Sequence, residues 1–323
     1  MTPPSFQYKA LTPAGNGLDV VFTALKQKEI SATSVPQLLS PGKRTGSLVP
    51  IQLGIIADLP IAQTPSERML VLLQQTLMPL LAEQLHERVT SCFITIVLPD
   101  KKSTRYIPHL VEIIEQFILD QTRHLSTEKQ PTIEYIHENE PLMHSFLSGQ
   151  AKLHRGECER FIFGGVDSFI NIRAIRDFEK NHGSIRKEGN ADAPLLGEGA
   201  VFIALSAQSP VLALISPIQE SLLTKGPAYW LTNRSPRLRT TFEWFSCIQK
   251  HSDLEQLTEL DIQKWIGHLG AALFPLQMAL GFFLMIRHTI GSEINVVLYD
   301  DKNTEQIHLQ RYHRYQQSST DPA

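Results

Sequence analysis

The feature that most constrains the fold is the segment Leu269–His288, which has a helical pattern and is apolar on almost every side. A helix without a polar face must be buried all round. Its longest apolar run, from Ala271 to Ile286 and interrupted by Gln277, has 16 residues. That is fewer than the ~18–20 residues needed to span a bilayer. The segment therefore predicts a helix enclosed by protein, and a place between two sheets suits it best.

A second helical pattern, Glu140–His154, has enough apolar residues to share that place. Further helical patterns at Thr64–Arg88 and Tyr106–Leu119 alternate with short apolar runs that favour strands. The predicted strands are Val49–Ala57, Ser91–Leu98, Thr132–His137, Arg160–Val166, Ala200–Leu205, Val211–Pro217 and Ile294–Asp300. Strands separated by helices indicate parallel crossover units. We therefore predict an α/β fold with two buried helices between two sheets.

Composition narrows the classes of partner and compartment. The chain has 323 residues, enough for two domains at about 150 residues each. Its net charge of −3 disfavours nucleic acid or an anionic membrane as partner, and we expect neither. Three cysteines in so long a chain form no disulfide framework. Since the first residues also lack a basic start followed by an apolar run, we expect a cytoplasmic protein.

Four short motifs follow one another: Leu-Thr-Pro-Ala-Gly at 11–15, Gly-Gly-Val-Asp-Ser at 164–168, Leu-Gly-Glu-Gly-Ala-Val-Phe at 196–202 and Gly-His-Leu-Gly-Ala-Ala at 267–272. Their succession resembles the β-ketoacyl-acyl-carrier-protein synthases, a family with the thiolase-like fold. The resemblance implies two similar halves, stacked as α–β–α–β–α layers with two central buried helices. We expect the halves at 1–206 and, in shortened form, at 207–323. The Gly164-Gly165 pair predicts a sharp turn at the end of a strand.

The resemblance implies a cysteine nucleophile at the start of the first buried helix, about 25 residues before the Gly-Gly pair. Counting back from Gly164 places Asn139 at that position. An amide is no nucleophile for acyl transfer, and the neighbouring carboxylates of Glu138 and Glu140 disfavour a thiolate. The chain therefore resembles a divergent family member that lacks the catalytic cysteine.

Other parts that the resemblance implies are also missing. Cys92 and Cys247 lie in apolar or aromatic runs and indicate packing, while Cys158 stands between two glutamates, which raise a thiol pKa. One family histidine has no counterpart, because no Pro-x-Gly-Thr-x-Thr run occurs. The other is matched by His268, although one residue instead of two separates it from the next glycine. A polar turn at 298–303 stands where the family has a Gly- and Phe-rich oxyanion loop.

Polar residues nevertheless concentrate around the nucleophile position. His137, Glu138, Glu140 and His144 lie there, and the spacing of Glu140 and His144 predicts one helix face. With His268 nearby, one interpretation is an acid–base or substrate-binding site. The other is that the carboxylates compensate the helix dipole. No metal-ligand spacing supports a metal, and we expect no metal and no cofactor.

Five basic residues also allow two interpretations. Arg173, Arg176, Lys180, Arg186 and Lys187 form either a solvated face or a docking patch for an acidic protein such as an acyl-carrier protein. We expect a protein without condensing activity that acts through binding or assembly. The alternative is an acyltransferase or lyase that uses His268 and the nearby carboxylates.

The expected assembly is a homodimer. Arg160–Val166 has strong β propensity and almost no charge, which predicts an edge strand that pairs across a two-fold axis. A heterodimer with an active condensing enzyme would use the same edge.

Overall fold

A computed structural model describes residues 6–41, 46–57, 59, 64–86, 89, 91–122, 130–206, 228–232, 258–287, 295–299 and 306–309. The strands are β1 Phe6–Thr12, β2 Gly15–Asn16, β3 Thr33–Pro41, β4 Leu48–Gly54, β5 Cys92–Leu98, β6 Thr132–His137, β7 Arg160–Ser168, β8 Leu196–Ser206, β9 Ala228–Thr232, β10 Thr258–Asp261, β11 Asn295–Tyr299 and β12 Gln306–Leu309. The helices are α1 Leu18–Gln27, α2 Pro65–Gln75, α3 Leu77–His86, α4 Leu110–Thr122, α5 Leu142–His154, α6 Ile172–His182, α7 Ile262–Trp265 and α8 Leu273–Arg287. A short 3-10 helix, Gly270–Ala272, precedes α8. The predicted strand Val211–Pro217 and Cys247 lie outside the described residues.

The first sheet orders its strands β2-β1-β8-β7-β5-β6, and the β3–β4 hairpin joins it where β4 pairs with β8. Strands β5, β6 and β7 run parallel, whereas β8 is antiparallel to both β7 and β1. Because parallel neighbours need long crossovers, helix α4 connects β5 to β6 and helix α5 connects β6 to β7. The structure therefore has the alternation of strands and helices that the sequence predicted in this region.

The prediction that Arg160–Val166 is an edge strand is wrong. It belongs to β7, which pairs with β5 on one side and with β8 on the other. A central strand that is buried on both faces also has almost no charged residues. The sequence pattern therefore does not distinguish a central strand from an edge strand. Among the described strands, β6 (Thr132–His137) ends the sheet on this side. Neither the expected homodimer nor the expected heterodimer can therefore form by strand pairing at Arg160–Val166.

Helices α2, α3 and α4 cover one face of the first sheet. Their buried residues, including Leu72, Leu77 and Ile114, pack on Ile96 and Phe202 of the strands. Helix α2 begins with a capping box, in which Thr64 and Glu67 satisfy each other's backbone N–H groups. This face is therefore the outer one, closed by amphipathic helices.

Helices α5 and α8 cover the opposite face. Phe146 of α5 and Phe282 of α8 pack together, and Phe146 also packs on Phe161 and Phe163 of β7. The same core reaches Leu231 of the second sheet, whose described strands are ordered β10-β9-β11-β12. The prediction of two buried helices between two sheets is confirmed. No helix within the described ranges is long and apolar enough to cross a membrane.

The Gly164-Gly165 pair has another role than the predicted turn. Both residues lie inside β7, and neither has a positive φ. A Cβ on Gly164 would lie 2.1 Å from the Phe202 ring, and one on Gly165 would lie 2.3 Å from the Ala271 carbonyl oxygen. The pair is needed for close packing, which lets the 3-10 helix lie against the strand.

Candidate functional site

The candidate site lies at the carboxyl ends of the parallel strands β5, β6 and β7. The chain after β5 leads to α4 on the outer face, while the chain after β6 leads to α5 on the inner face. Adjacent parallel strands whose connections diverge leave a crevice at their carboxyl ends, and open α/β sheets bind ligands there. The position that the resemblance predicts for a nucleophile, directly after β6, is at this end of the sheet.

A cavity of about 330 Å³ lies at this end. It is lined by the loop after β5, by Glu138 after β6 and by the segment after β7 that includes helix α6. Of the six site residues predicted from the sequence, Glu138 and His268 line this cavity. Asn139, His137, Glu140 and His144 do not line it. The structure thus brings together part of the predicted set.

Asn139 is exposed in the turn between β6 and α5. Helix α5 begins at Leu142, with Pro141 as its N-cap, so Asn139 lies three residues before the helix. Glu140 also precedes the helix, and the predicted helical face shared by Glu140 and His144 is not formed. His144 is exposed on α5.

His137 and Glu140 hold the turn together. The His137 ring donates from Nδ1 to the Pro99 carbonyl oxygen at 2.7 Å and packs edge-on against Tyr106. The His137 backbone N–H donates to the Glu140 carboxylate at 3.2 Å, and the Glu140 N–H donates to the His137 carbonyl at 2.9 Å. The His137 ring is therefore held against the chain after β5, and the Glu140 carboxylate is held within the turn.

The polar centre of the site is a group that we call the cavity cluster, formed by Arg105, Glu138 and Asp167. Arg105 donates to both carboxylates, and all three side chains are buried. The Arg105 guanidinium also lies over the Phe169 ring at 4.1 Å and donates from Nε to the Ser103 hydroxyl at 3.0 Å. The cluster therefore joins the ends of β5, β6 and β7.

Asp167 extends this cluster to the buried helices. Its carboxylate accepts hydrogen bonds from the backbone N–H groups of Ala271 at 2.9 Å and Ser168 at 2.8 Å. Burial raises the pKa of Asp167 to about 7; Arg105 lowers it in part, and Glu138 raises it. Burial alone would lower the pKa of Arg105, but Asp167 and Glu138 together raise it.

Sequence reasoning missed Arg105 and Asp167 as site residues. A signal for Asp167 exists, since it directly continues the apolar strand from Phe161 to Val166 and a buried carboxylate needs a partner. Arg105 stands in an ordinary polar loop, Lys-Ser-Thr-Arg-Tyr, and no local pattern points to it.

His268 lies beside the first residues of β8 in space, and in the chain it precedes the 3-10 helix. Its backbone N–H donates to the Leu195 carbonyl at 2.7 Å, and its carbonyl accepts from the Gly197 N–H at 3.1 Å. The imidazole packs on Phe169 and Phe178, with ring centroids 5.1 and 5.5 Å away. The ring is thus fixed in the cavity wall by aromatic neighbours.

The two described cysteines lie at the other end of the sheet. Cys92 is the first residue of β5, and Cys158 stands two residues before β7. Six further residues of strand, about 20 Å, separate Cys92 from the carboxyl end of β5. Burial raises the pKa of Cys92 to about 12, and burial also raises the pKa of Cys158. Neither thiol is placed or activated for chemistry in the cavity.

The five basic residues predicted as one patch divide into two groups. Arg173, Arg176 and Lys180 are exposed on α6, and we call them the α6 stripe. Arg186 and Lys187 are buried; Lys187 donates to Ser40 at 3.0 Å and to Glu179 at 3.2 Å. In the described part of the chain, no three His, Cys, Asp or Glu side chains are grouped to hold a metal ion.

Comparison with known proteins supports the fold. No protein-family model matches the chain. No curated protein matches it either. Among solved structures, the ketosynthase/chain-length factor of ishigamide aligns with a TM-score of 0.58 at 13% identity, covering 94% of this chain and 97% of that one. The ketosynthase from module 6 of the bacillaene synthase of Bacillus subtilis 168 aligns with a TM-score of 0.62 at 12% identity, covering 95% and 71%.

A third similar structure is a type II polyketide ketosynthase, bound to a hexaketide and in complex with its acyl-carrier protein. It aligns with a TM-score of 0.53 at 10% identity, covering 94% of this chain and 96% of that one. The chain therefore has the thiolase-like fold of the ketosynthases and chain-length factors, as the four sequence motifs predicted. At these identities the likeness extends to the fold alone.

Proposed function

We propose that the protein is a ketosynthase homologue without condensing activity, which acts through binding or assembly. One observation carries this proposal: Asn139, which counting back from Gly164 puts at the expected nucleophile position, is exposed in a turn ahead of α5. The described cysteines are distant from the cavity and have raised pKa values. Glu138, beside Asn139, is buried and held in an ion pair with Arg105.

The test is intact-mass spectrometry after incubation with an acyl-acyl-carrier-protein thioester. We expect no covalent acyl adduct, while a condensing ketosynthase treated in parallel acquires one. A stable adduct on any cysteine contradicts the proposal, and the variants Cys92→Ser and Cys158→Ser would then locate it.

We further propose that an acyl-carrier protein docks on the α6 stripe. Arg173, Arg176 and Lys180 are exposed on the helix whose other residues line the cavity, so an acidic protein bound there would lie beside the cavity mouth. Arg176→Glu should weaken carrier-protein binding and reduce its salt dependence. Lys28→Glu, an exposed lysine outside the stripe, is the matched control. Equal affinities for both variants would refute docking at the stripe.

For assembly we propose a dimer that pairs along β6, either with a second copy or with an active condensing enzyme. Support comes from the position of β6 at the end of the described first sheet and from similar structures that are named as a ketosynthase together with a chain-length factor. Light scattering at low micromolar concentration, alone and with a condensing partner, is the measurement. A single-chain mass in both cases, with fast amide exchange over Thr132–His137, contradicts both dimers.

One observation favours a second candidate, an acyltransferase or lyase: His268 and Glu138 line the same cavity. If His268 acts in catalysis, His268→Asn should abolish turnover of an acyl thioester without changing the melting temperature. If its role is structural, the variant should lower the melting temperature modestly and leave ligand binding unchanged.

A further inference from the structure

The charges around the cavity do not balance. Asp100, Glu138 and Asp177 line it together with Lys102 and Arg105, and Asp167 lies directly behind Arg105. With all side chains ionised, four carboxylates face two cations. The exposed cations of the α6 stripe do not line the cavity. Among the described residues, carboxylates therefore outnumber cations around a space of about 330 Å³, which is in the range of small-molecule sites.

The walls of the cavity favour positive charge independently of the carboxylates. Phe169, Phe178 and His268 form an aromatic group with ring centroids 5.1 to 5.9 Å apart. Arg105 already lies over the Phe169 face at 4.1 Å, so this group holds one cation by its ring quadrupole. Phe178 and His268 line the remaining space. Aromatic faces beside carboxylates are the usual means of binding organic ammonium groups.

The buried part of the cluster shows the same imbalance. Arg105 carries one positive charge against the carboxylates of Glu138 and Asp167, and a dry site tolerates an excess charge poorly. The cluster balances when one carboxylate holds a proton, which agrees with the raised pKa of Asp167, about 7. A bound cation would balance the charge equally well and would release that proton.

We propose that the cavity binds a small organic cation, a primary ammonium or guanidinium compound, between Phe178, His268 and the carboxylate of Asp177. This binding needs neither a carrier protein nor a second subunit. Its failure would leave the proposed loss of condensing activity untouched, and the reverse also holds.

The experiment is isothermal titration of the full chain with n-butylammonium chloride, and with sodium butyrate as a probe of the same shape and opposite charge. We expect butylammonium to bind and butyrate not to bind. Since Asp167 ionises near neutrality, the affinity for butylammonium should rise between pH 6 and pH 8. The other charged or titratable groups that line the cavity are Asp100, Asp177, Glu138, Lys102, Arg105 and His268.

Two variants test the placement. Asp177→Asn removes a wall carboxylate and should weaken butylammonium binding about threefold to tenfold. Asp120→Asn, an exposed aspartate on α4 outside the cavity, should leave it unchanged. Equal affinity of butylammonium and butyrate, or equal effects of the two variants, would overturn the proposal. Circular dichroism of each variant identifies any loss of fold, in which case Asp177→Ser replaces Asp177→Asn.

Discussion

Two buried arginines lie on opposite sides of the first sheet, and their surroundings differ in charge balance. On the outer side Arg68 pairs with Glu198, and both side chains are fully buried. Glu198 also accepts from the Ser168 hydroxyl at 2.9 Å and from the Ile56 N–H at 3.1 Å. We call this pair the closed pair. In the cavity cluster, by contrast, Arg105 faces two carboxylates and borders a cavity.

The comparison separates a structural device from a site. The closed pair joins the fully buried Arg68 guanidinium to the fully buried Glu198 carboxylate, and it fastens the motif at 196–202 to α2 and to the chain after β4. The cavity cluster leaves a charge open to a ligand or a proton. Imbalance beside a cavity, and not burial of charge as such, is the reason for proposing a site at the cavity cluster.

The largest difference between the two regions should appear on removing each arginine. Arg68→Met leaves Glu198 as an uncompensated buried charge, and we expect a loss of about 3–5 kcal/mol in the free energy of unfolding. Arg105→Met should cost less, about 1–3 kcal/mol, because Asp167 can take up a proton and Glu138 borders the cavity. Urea unfolding at pH 7 measures both.

Arg176→Met, on the exposed α6 stripe, is the matched control and should change the free energy of unfolding by no more than about 0.5 kcal/mol. If Arg105→Met costs as much as Arg68→Met, the cavity cluster is as closed as the outer pair, and the distinction fails.

The sequence predicts the secondary structure of this molecule but not its buried charge clusters. The apolar helix at 269–288 and the alternation of strands and helices follow from hydrophobic periodicity, which is a local signal. The closed pair and the cavity cluster join residues more than 30 positions apart, such as Arg105 with Asp167, so no spacing reveals them. The misplaced edge strand has a related cause, since a buried central strand and an uncovered edge share one composition.

A medium effect should appear in the pH dependence of stability. The pKa of Asp167 in the folded chain, about 7, is above its ordinary value of 3.8, so the folded state holds an extra proton between about pH 4 and pH 7. The contribution of Asp167 to the free energy of unfolding therefore falls as pH rises through that window, by at most about 1.4 kcal/mol per pH unit. Above pH 7 it is constant.

The measurement is the free energy of unfolding at several pH values for the wild type and Asp167→Asn. The difference in free energy of unfolding between the wild type and Asp167→Asn should change with pH in this window. The curve of Asp120→Asn should run parallel to that of the wild type. Parallel curves for Asp167→Asn would mean that the cavity cluster is already balanced without a proton.

The smallest effect on stability, and the sharpest on chemistry, is expected at Asn139. Because the side chain is exposed in a turn, Asn139→Cys should change the free energy of unfolding by no more than about 0.5 kcal/mol. The new thiol lies three residues before α5 and between two carboxylates, of which Glu138 is paired with Arg105 and Glu140 is exposed. Its pKa should therefore stay at or above the ordinary ~8.5, far from the lowered values of helix-activated thiols.

The rate of alkylation by iodoacetamide, measured against pH, reports the pKa of this thiol over the slow background of the wild-type cysteines. The second variant Asn139→Cys/Glu140→Gln should shift the midpoint slightly downward, since one negative neighbour is removed. A midpoint below about pH 7 for Asn139→Cys alone would show that the turn still activates a thiolate. The proposed loss of condensing activity would then rest on the identity of residue 139 and on the unmatched family histidine and oxyanion loop, and not on the geometry of the turn.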